Sequence, residues 1–130
     1  MAMPLVGDVM SRDLLTADPA TPLVDAAAAM TRRHVGAMLV LEGERLVGVV
    51  TERDVLRAVA SGDTGGRISD WMTWHPETVE ADETTQHAGV VMIHGGFRHL
   101  PVLEEGKPVG IVSIRDLMRV VLEDVSPRGV

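Results

Sequence analysis

Along this chain, short apolar runs bounded by turn residues alternate with longer stretches whose apolar positions recur at helical spacing. "AMLVL" (37–41) and "LVGVVT" (46–51) predict two short strands around "EGER", a hairpin signal. Ahead of them, "TPLVDAAAAMTRRH" (21–34) predicts a helix, with Thr21 as N-cap, Pro22 at the first helical position, an Ala-rich centre and Gly36 as the stop. "ERDVLRAVAS" (52–61) predicts a second helix that stops at Gly62. With a short strand at Thr16-Ala17, the order is strand, helix, strand, strand, helix.

The same order then recurs. "TTQHAGVVMIH" runs into Gly95-Gly96, and "HLPVL", the turn "EEGK", the strand "PVGIVS" and the helix "IRDLMRVVLEDV" follow. Sliding the chain by the distance from Gly48 to Gly110 aligns it with itself from about residue 8 to residue 121 without a gap. Asp8 meets Asp70, Met10 meets Met72, Ala26 meets Ala88, Met30 meets Met92, "VLE" meets "VLE", and "GVVTERD" (48–54) meets "GIVSIRD" (110–116). Each copy is too small to bury a good core alone, so the two are expected to pack together about a pseudo-two-fold axis. The expected division is 1–62 for the first repeat with its N-terminal lead, 63–67 for a linker and 68–130 for the second repeat. "GDTGG" (62–66) fits no phosphate-binding glycine motif and reads as plain linker.

Composition narrows the function. With 45% apolar and 24% charged residues in 130, and no long apolar run, the chain reads as one soluble, cytoplasmic globular module without a signal peptide. The net charge of −7 is spread evenly, with six basic against nine acidic residues in 1–65 and six against ten in 66–130. There is no basic arm for nucleic acid. The lack of cysteine removes disulfides, thiolate metal sites and thiol catalysis. His34, His75, His87, His94 and His99 follow no metal-ligand spacing, so no metal is expected, and His99 draws interest only because it adjoins Arg98. No nucleophile elbow is present, and Glu104-Glu105 lie in a predicted turn, so an enzyme is not expected. Trp71 and Trp74 are assigned to the repeat junction or an oligomer face, with stacking on a base as the lesser alternative.

In "TERD" and "SIRD" a hydroxyl and a carboxylate stand three apart at a strand-to-helix junction. Thr51 with Asp54, and Ser113 with Asp116, can be capping pairs. The same geometry suits a ligand, because a helix N-terminus offers unpaired N–H groups to a phosphate and a carboxylate one turn in can take both hydroxyls of a ribose. Gly48 and Gly110, inside strands, mark close approach of either a ligand or packed backbone.

The element order, the period and the paired phrases resemble the CBS domain, whose usual unit is a tandem pair called a Bateman module. "VGDVMSRDLLTADPATPLVDAAAAM", "ISDWMTWHPETVEADETTQHAGVVM" and "FRHLPVLEEGKPVGIVSIRDL" carry that resemblance over nearly the whole chain. It implies an α/β fold of tandem β-α-β-β-α repeats with clefts between them that bind adenine nucleotides or related adenosyl compounds. It also implies roles: Asp54 and Asp116 for ribose; Thr51, Ser113, Arg98, Arg53 and Arg115 for phosphate or ribose; Thr16, Ala17, Thr78, Val79, His99 and Pro101 around the base. Arg98 has Gly36 as its counterpart, which predicts clefts that differ in their preference for charged ligands. The reading is a regulatory module with no obligatory cofactor, sensing an adenosine-containing ligand. Its partners would be a second copy, in a flat four-repeat disc, and an unidentified regulated protein. The competing reading is a ligand-independent dimerisation or docking module.

Overall fold

The computed structural model describes residues 3–125; residues 1–2 and 126–130, assigned above to the two repeats, lie outside the described residues. The elements are α1 (Val6–Val9), β1 (Thr16–Ala17), α2 (Leu23–Arg33), β2 (Ala37–Glu42), β3 (Arg45–Thr51), α3 (Glu52–Ala60), α4 (Ile68–Trp71), β4 (Thr73–Trp74), β5 (Val79–Glu80), α5 (Thr85–Gly95), β6 (His99–Glu104), β7 (Lys107–Ser113) and α6 (Ile114–Val125). The α/β repeat is present twice, as β1-α2-β2-β3-α3 and as β5-α5-β6-β7-α6. Each copy has its first strand parallel to its second and an antiparallel hairpin after that. The parallel step is what the intervening helix permits. No described helix is long and apolar enough to cross a membrane.

In space the chain divides differently from the sequence repeat. One compact unit is Leu14–Pro76; the other joins the described residues up to Asp13 with those from Glu77 on. Each unit therefore contains the lead segment of the other repeat. In the first, Ile68 and Met72 from the lead of the second repeat enter a core with Leu23, Ala26, Met30, Met38, Val40, Val47, Val50 and Ala58. In the second, Val6 and Met10 join Val79, Ala88, Met92, Leu100, Val102, Val112 and Leu117. The backbone bonds match pair for pair. Ile68 N–H donates to the Thr21 carbonyl at 2.8 Å and Ser69 N–H to that of Pro19 at 3.0 Å, while Val6 N–H donates to Glu83 and Gly7 N–H to Ala81, both at 2.8 Å. Burying such a side chain contributes about 1.5–3 kcal/mol. Two per unit is a large part of the roughly 5–15 kcal/mol that holds a small domain together.

The short helices α1 and α4 escape a coarse reading because four residues carry no period. Asp8 and Asp70 start them, accepting the main-chain N–H of Leu5 at 3.1 Å and of Arg67 at 2.9 Å. Helix α2 begins one residue later than expected, with Pro22 as the N-cap; the Thr21 carbonyl is occupied by Ile68 instead. It also ends earlier than Gly36: His34 takes the left-handed conformation at φ 55° and its N–H closes on Met30 and Thr31. Gly96 does this in the second repeat at φ 73°. The segment 62–66 is not a free tether. Asp63 accepts the Trp71 indole N–H at 2.9 Å, and the Gly66 carbonyl accepts Leu23 N–H at 2.9 Å.

The strand glycines follow from the exchange. A Cβ at Gly48 would lie 2.7 Å from Met72 Sδ and 2.9 Å from the Thr73 carbonyl oxygen; one at Gly110 would lie 2.6 Å from Met10 Sδ and 2.7 Å from the Ser11 oxygen. The close approach is made by the exchanged lead. Gly48→Ala and Gly110→Ala should each lower stability by about 1–3 kcal/mol through overpacking. Urea denaturation of the unliganded protein checks this, and an unchanged midpoint would mean that the lead segments yield at no cost.

Candidate functional site

The repeated phrase folds into the same structure twice. Thr51 ends β3 in an extended conformation (φ −125°, ψ 167°) and caps α3. The Oδ2 of Asp54 accepts the Thr51 main-chain N–H at 2.9 Å and its hydroxyl at 3.2 Å, and Thr51 Oγ1 accepts the Asp54 N–H at 3.4 Å. In the other unit, Oδ2 of Asp116 accepts the Ser113 N–H at 2.8 Å and hydroxyl at 3.0 Å, and Ser113 Oγ accepts the Asp116 N–H at 3.1 Å. The capping pair is thus formed in both repeats. Asp54 is only 6% exposed, a position a carboxylate tolerates when both its oxygens are hydrogen-bonded. Among the described residues no buried side-chain polar atom lacks a partner.

A residue the sequence reading passed over completes each box. Oδ1 of Asp54 accepts from Arg57 Nη1 at 3.0 Å, and Oδ1 of Asp116 from Arg119 Nη1 at 3.3 Å. The signal was present, since Arg57 and Arg119 match under the repeat shift. An arginine on an exposed helix face simply reads as solvated. Arg53 and Arg115, singled out instead, are exposed in the first turns of α3 and α6 and make no hydrogen bond or ion pair with other described residues.

The surroundings of the two boxes differ. The Gly36 carbonyl accepts the Glu52 N–H at 3.0 Å, and Ala37 stands opposite Thr51 in the strand register. At the equivalent places, the Arg98 carbonyl accepts the Ile114 N–H at 2.8 Å and His99 stands opposite Ser113. So Arg98 and His99 are brought to the Ser113–Asp116 box, with glycine and alanine in their places at the other. Arg57 lies over the Trp71 ring at 5.5 Å, and Trp71 in turn is held by Asp63. Trp71 packs on the core of its own unit, whereas Trp74 is 45% exposed, with its indole N–H on the Ser69 carbonyl.

The residues assigned to the base lie towards the same end of the strands as the boxes. Thr16 pairs with Leu39 on β2, two residues along from the Ala37 that faces Thr51. That places Thr16 and Thr51 on the order of 10 Å apart across two strand spacings. Thr78 precedes β5 in the corresponding position. Val79 is buried in its unit's core and Pro101 is fully buried, while Ala17 is partly buried. Those positions offer main-chain groups rather than side chains. Of the histidines, His34, His75, His87 and His94 are exposed, with His87 3.8 Å from Glu83. Among the described residues no three His, Asp or Glu side chains gather as a metal site would require.

Thr51→Ala and Ser113→Ala should each cost about 0.5–2 kcal/mol as lost caps. Arg53→Ala and Arg115→Ala should stay within about 0.5 kcal/mol of the parent. Chemical denaturation separates the two classes.

Comparison with known proteins gives concordant results. The CBS domain family profile matches residues 6–61 and again 68–123. A 17.7 kDa protein of Acidianus ambivalens is 33% identical over 120 residues, covering 91% of this chain and 73% of its own. A Methanopyrus kandleri protein is 32% identical, with this chain spanning 61% of its length. Among solved structures, the CBS domain pair of MJ0100 in complex with 5′-methylthioadenosine and S-adenosyl-L-methionine superposes with a TM-score of 0.88 at 25% identity, covering 95% of this chain and 99% of that one. CBSX2, an Arabidopsis thaliana protein, in complex with AMP gives 0.84 at 28%, covering 93% and 98%.

Proposed function

As the chain belongs to the CBS domain family, with two copies in tandem, we propose that it is a regulatory module that senses an adenosine-containing ligand. The ligand binds at the Thr51–Asp54 and Ser113–Asp116 junctions. The observation that carries this reading is the duplicated box: a helix N-terminus, a hydroxyl and an oriented carboxylate together at the end of a strand in each repeat. Relatives of the same fold hold AMP, or 5′-methylthioadenosine and S-adenosyl-L-methionine. Asp54 and Asp116 take the ribose; main-chain groups at Thr16-Ala17 and Thr78-Val79 face the base; Arg98 and His99 favour phosphorylated ligands at the second site. Its role is regulation rather than turnover.

A thermal-shift panel of AMP, ATP, NAD and S-adenosylmethionine, followed by calorimetry, tests the reading. Asp116→Ala should lower affinity at least roughly tenfold, because hydrogen bonds to a charged group contribute about 1.5–3 kcal/mol each, whereas its cost as a lost cap is about 0.5–2 kcal/mol of folding energy. Arg98→Ala should weaken AMP and ATP more than adenosine, since only the phosphorylated ligands meet its charge. Aspartate variants that melt earlier but bind as the parent does would leave the boxes as caps and favour the docking module.

A homodimer accompanies this function. Leu56 and Val59 on α3, Ile93 on α5, and Val121 and Leu122 on α6 are more than half exposed. The small residues of "VDAAAAM" (24–30) and "AGVVM" (88–92) also suit close helix contact; of these Ala26 and Ala88 are buried within their own units, while Ala28 is exposed. The larger exposed apolar side chains add to that contact surface. Light scattering should give twice the 14.0 kDa chain mass, and a dilute monomer would remove the dimer from the proposal.

A further inference from the structure

The Asp54 carboxylate has fewer open acceptor positions than a ribose diol needs. Each carboxylate oxygen offers about two lone pairs. Oδ2 uses both, on the Thr51 N–H and hydroxyl, and Oδ1 uses one on Arg57. One position is left for two O–H donors. The Thr51 hydroxyl is tied down, because it also accepts the Asp54 N–H. Arg57 is the group free to swing away, being one turn further on with its side chain 58% exposed. The count repeats at Asp116, where Ser113 occupies Oδ2 and Arg119 sits on Oδ1.

The two arginines are not held equally. Arg57 is clasped from both sides, by Asp54 at 3.0 Å and by the Trp71 ring at 5.5 Å. Trp71 is itself fixed by the Asp63 carboxylate, which lies so near Gly66 that a Cβ there would come within 2.7 Å of Oδ2. Under the repeat shift the counterparts of Trp71 and Asp63 are Val9 and Val125. Among the described residues Arg119 has no ring beneath it, and its contact with Asp116 is the longer one, at 3.3 Å.

We infer that Arg57 and Arg119 are latches on the two diol-binding carboxylates, and that Trp71 makes the first the tighter, so a diol ligand fills the Asp116 site before the Asp54 site. The inference rests on the adenosyl reading above. Arg57 acts as a positioning residue: it competes with the ligand for Oδ1, and its release is part of binding. A single chain then responds over two ranges of ligand concentration.

Calorimetry on the full chain tests this with adenosine, whose lack of phosphate removes any direct attraction to the arginine, and with dideoxyadenosine, which lacks the diol. The parent should show two unequal adenosine sites, the weaker one lost in Asp54→Ala. Arg57→Gln should tighten that site roughly tenfold, and Trp71→Leu roughly two- to fivefold, with the stronger site unmoved and dideoxyadenosine unaffected. Arg57→Gln will also melt earlier, because it bares a buried carboxylate; if it does not fold, Trp71→Leu carries the test. Unchanged or weaker adenosine binding in both variants, or an equal gain for dideoxyadenosine, overturns the latch and leaves the ligand reading standing. Failure of the parent and Arg57→Gln alike to bind adenosine, AMP or S-adenosylmethionine overturns both.

Discussion

Each compact unit depends on a segment that belongs, in sequence, to the other repeat. Val6 and Met10 complete the core around β6 and β7, and Ile68 and Met72 complete the one around β2 and β3. A single repeat cut out of the chain loses two deeply buried apolar side chains and a set of backbone partners at the start of its first long helix. That loss is a large part of the whole stability of a domain this size. The duplication is therefore a folding requirement before it is a functional one. Gly48 and Gly110 are glycines because the exchanged lead lies against them. The four-residue helices α1 and α4 exist to deliver their two apolar side chains at one-turn spacing.

The same economy governs the hydroxyl–carboxylate boxes. A strand that ends against a helix leaves unpaired N–H groups at the helix start, and Thr51 with Asp54, like Ser113 with Asp116, satisfies part of that demand from within. The cap and the proposed ligand site are not rivals for the geometry. An aspartate fixed by two bonds on Oδ2 presents Oδ1 in a set direction, and a helix start that must be capped in any case is where an oriented carboxylate comes at least cost. Folding alone accounts for Oδ2. It does not require an arginine on Oδ1 in both repeats.

The period of the apolar positions made the two helices and the hairpin of each repeat legible, because helices and strands longer than five residues bury one face and so write their spacing into the chain; the two-residue strands β1 and β5 carry no such period. The boxes were legible as residue pairs for the same local reason. The exchange of leads was not, since nothing in "VGDVM" or "ISDWM" says which repeat it packs on. The paired strand glycines carried the trace of it, as sites of close approach without a named neighbour. Gly36 misled as a helix stop because His34, a residue that tolerates the left-handed conformation less readily, reached that conformation first. Arg57 and Arg119 were visible only as matched letters. Their meaning depends on which carboxylate oxygen is already occupied, and that is a property of three-dimensional geometry.

Two copies that had stayed alike would have offered two equal carboxylates. Differences between the repeats instead stand at the boxes: Arg98 and His99 lie beside the Ser113–Asp116 box where the other has Gly36 and Ala37, and Trp71, held by Asp63, lies against Arg57. The cores are conservative by contrast, with Ala26 and Ala88, or Met30 and Met92, in matching roles. A shared scaffold constrains both copies through packing, because a volume change in either core is felt at once. Most positions around the boxes are held less tightly, with Gly36, Asp63, Trp71 and His99 only partly buried and Arg98 exposed. One repeat places basic and imidazole side chains beside its carboxylate, and the other places an aromatic clasp on the arginine that guards its own. The asymmetry therefore lies in how each carboxylate is reached, while the carboxylate and its cap are the same in both.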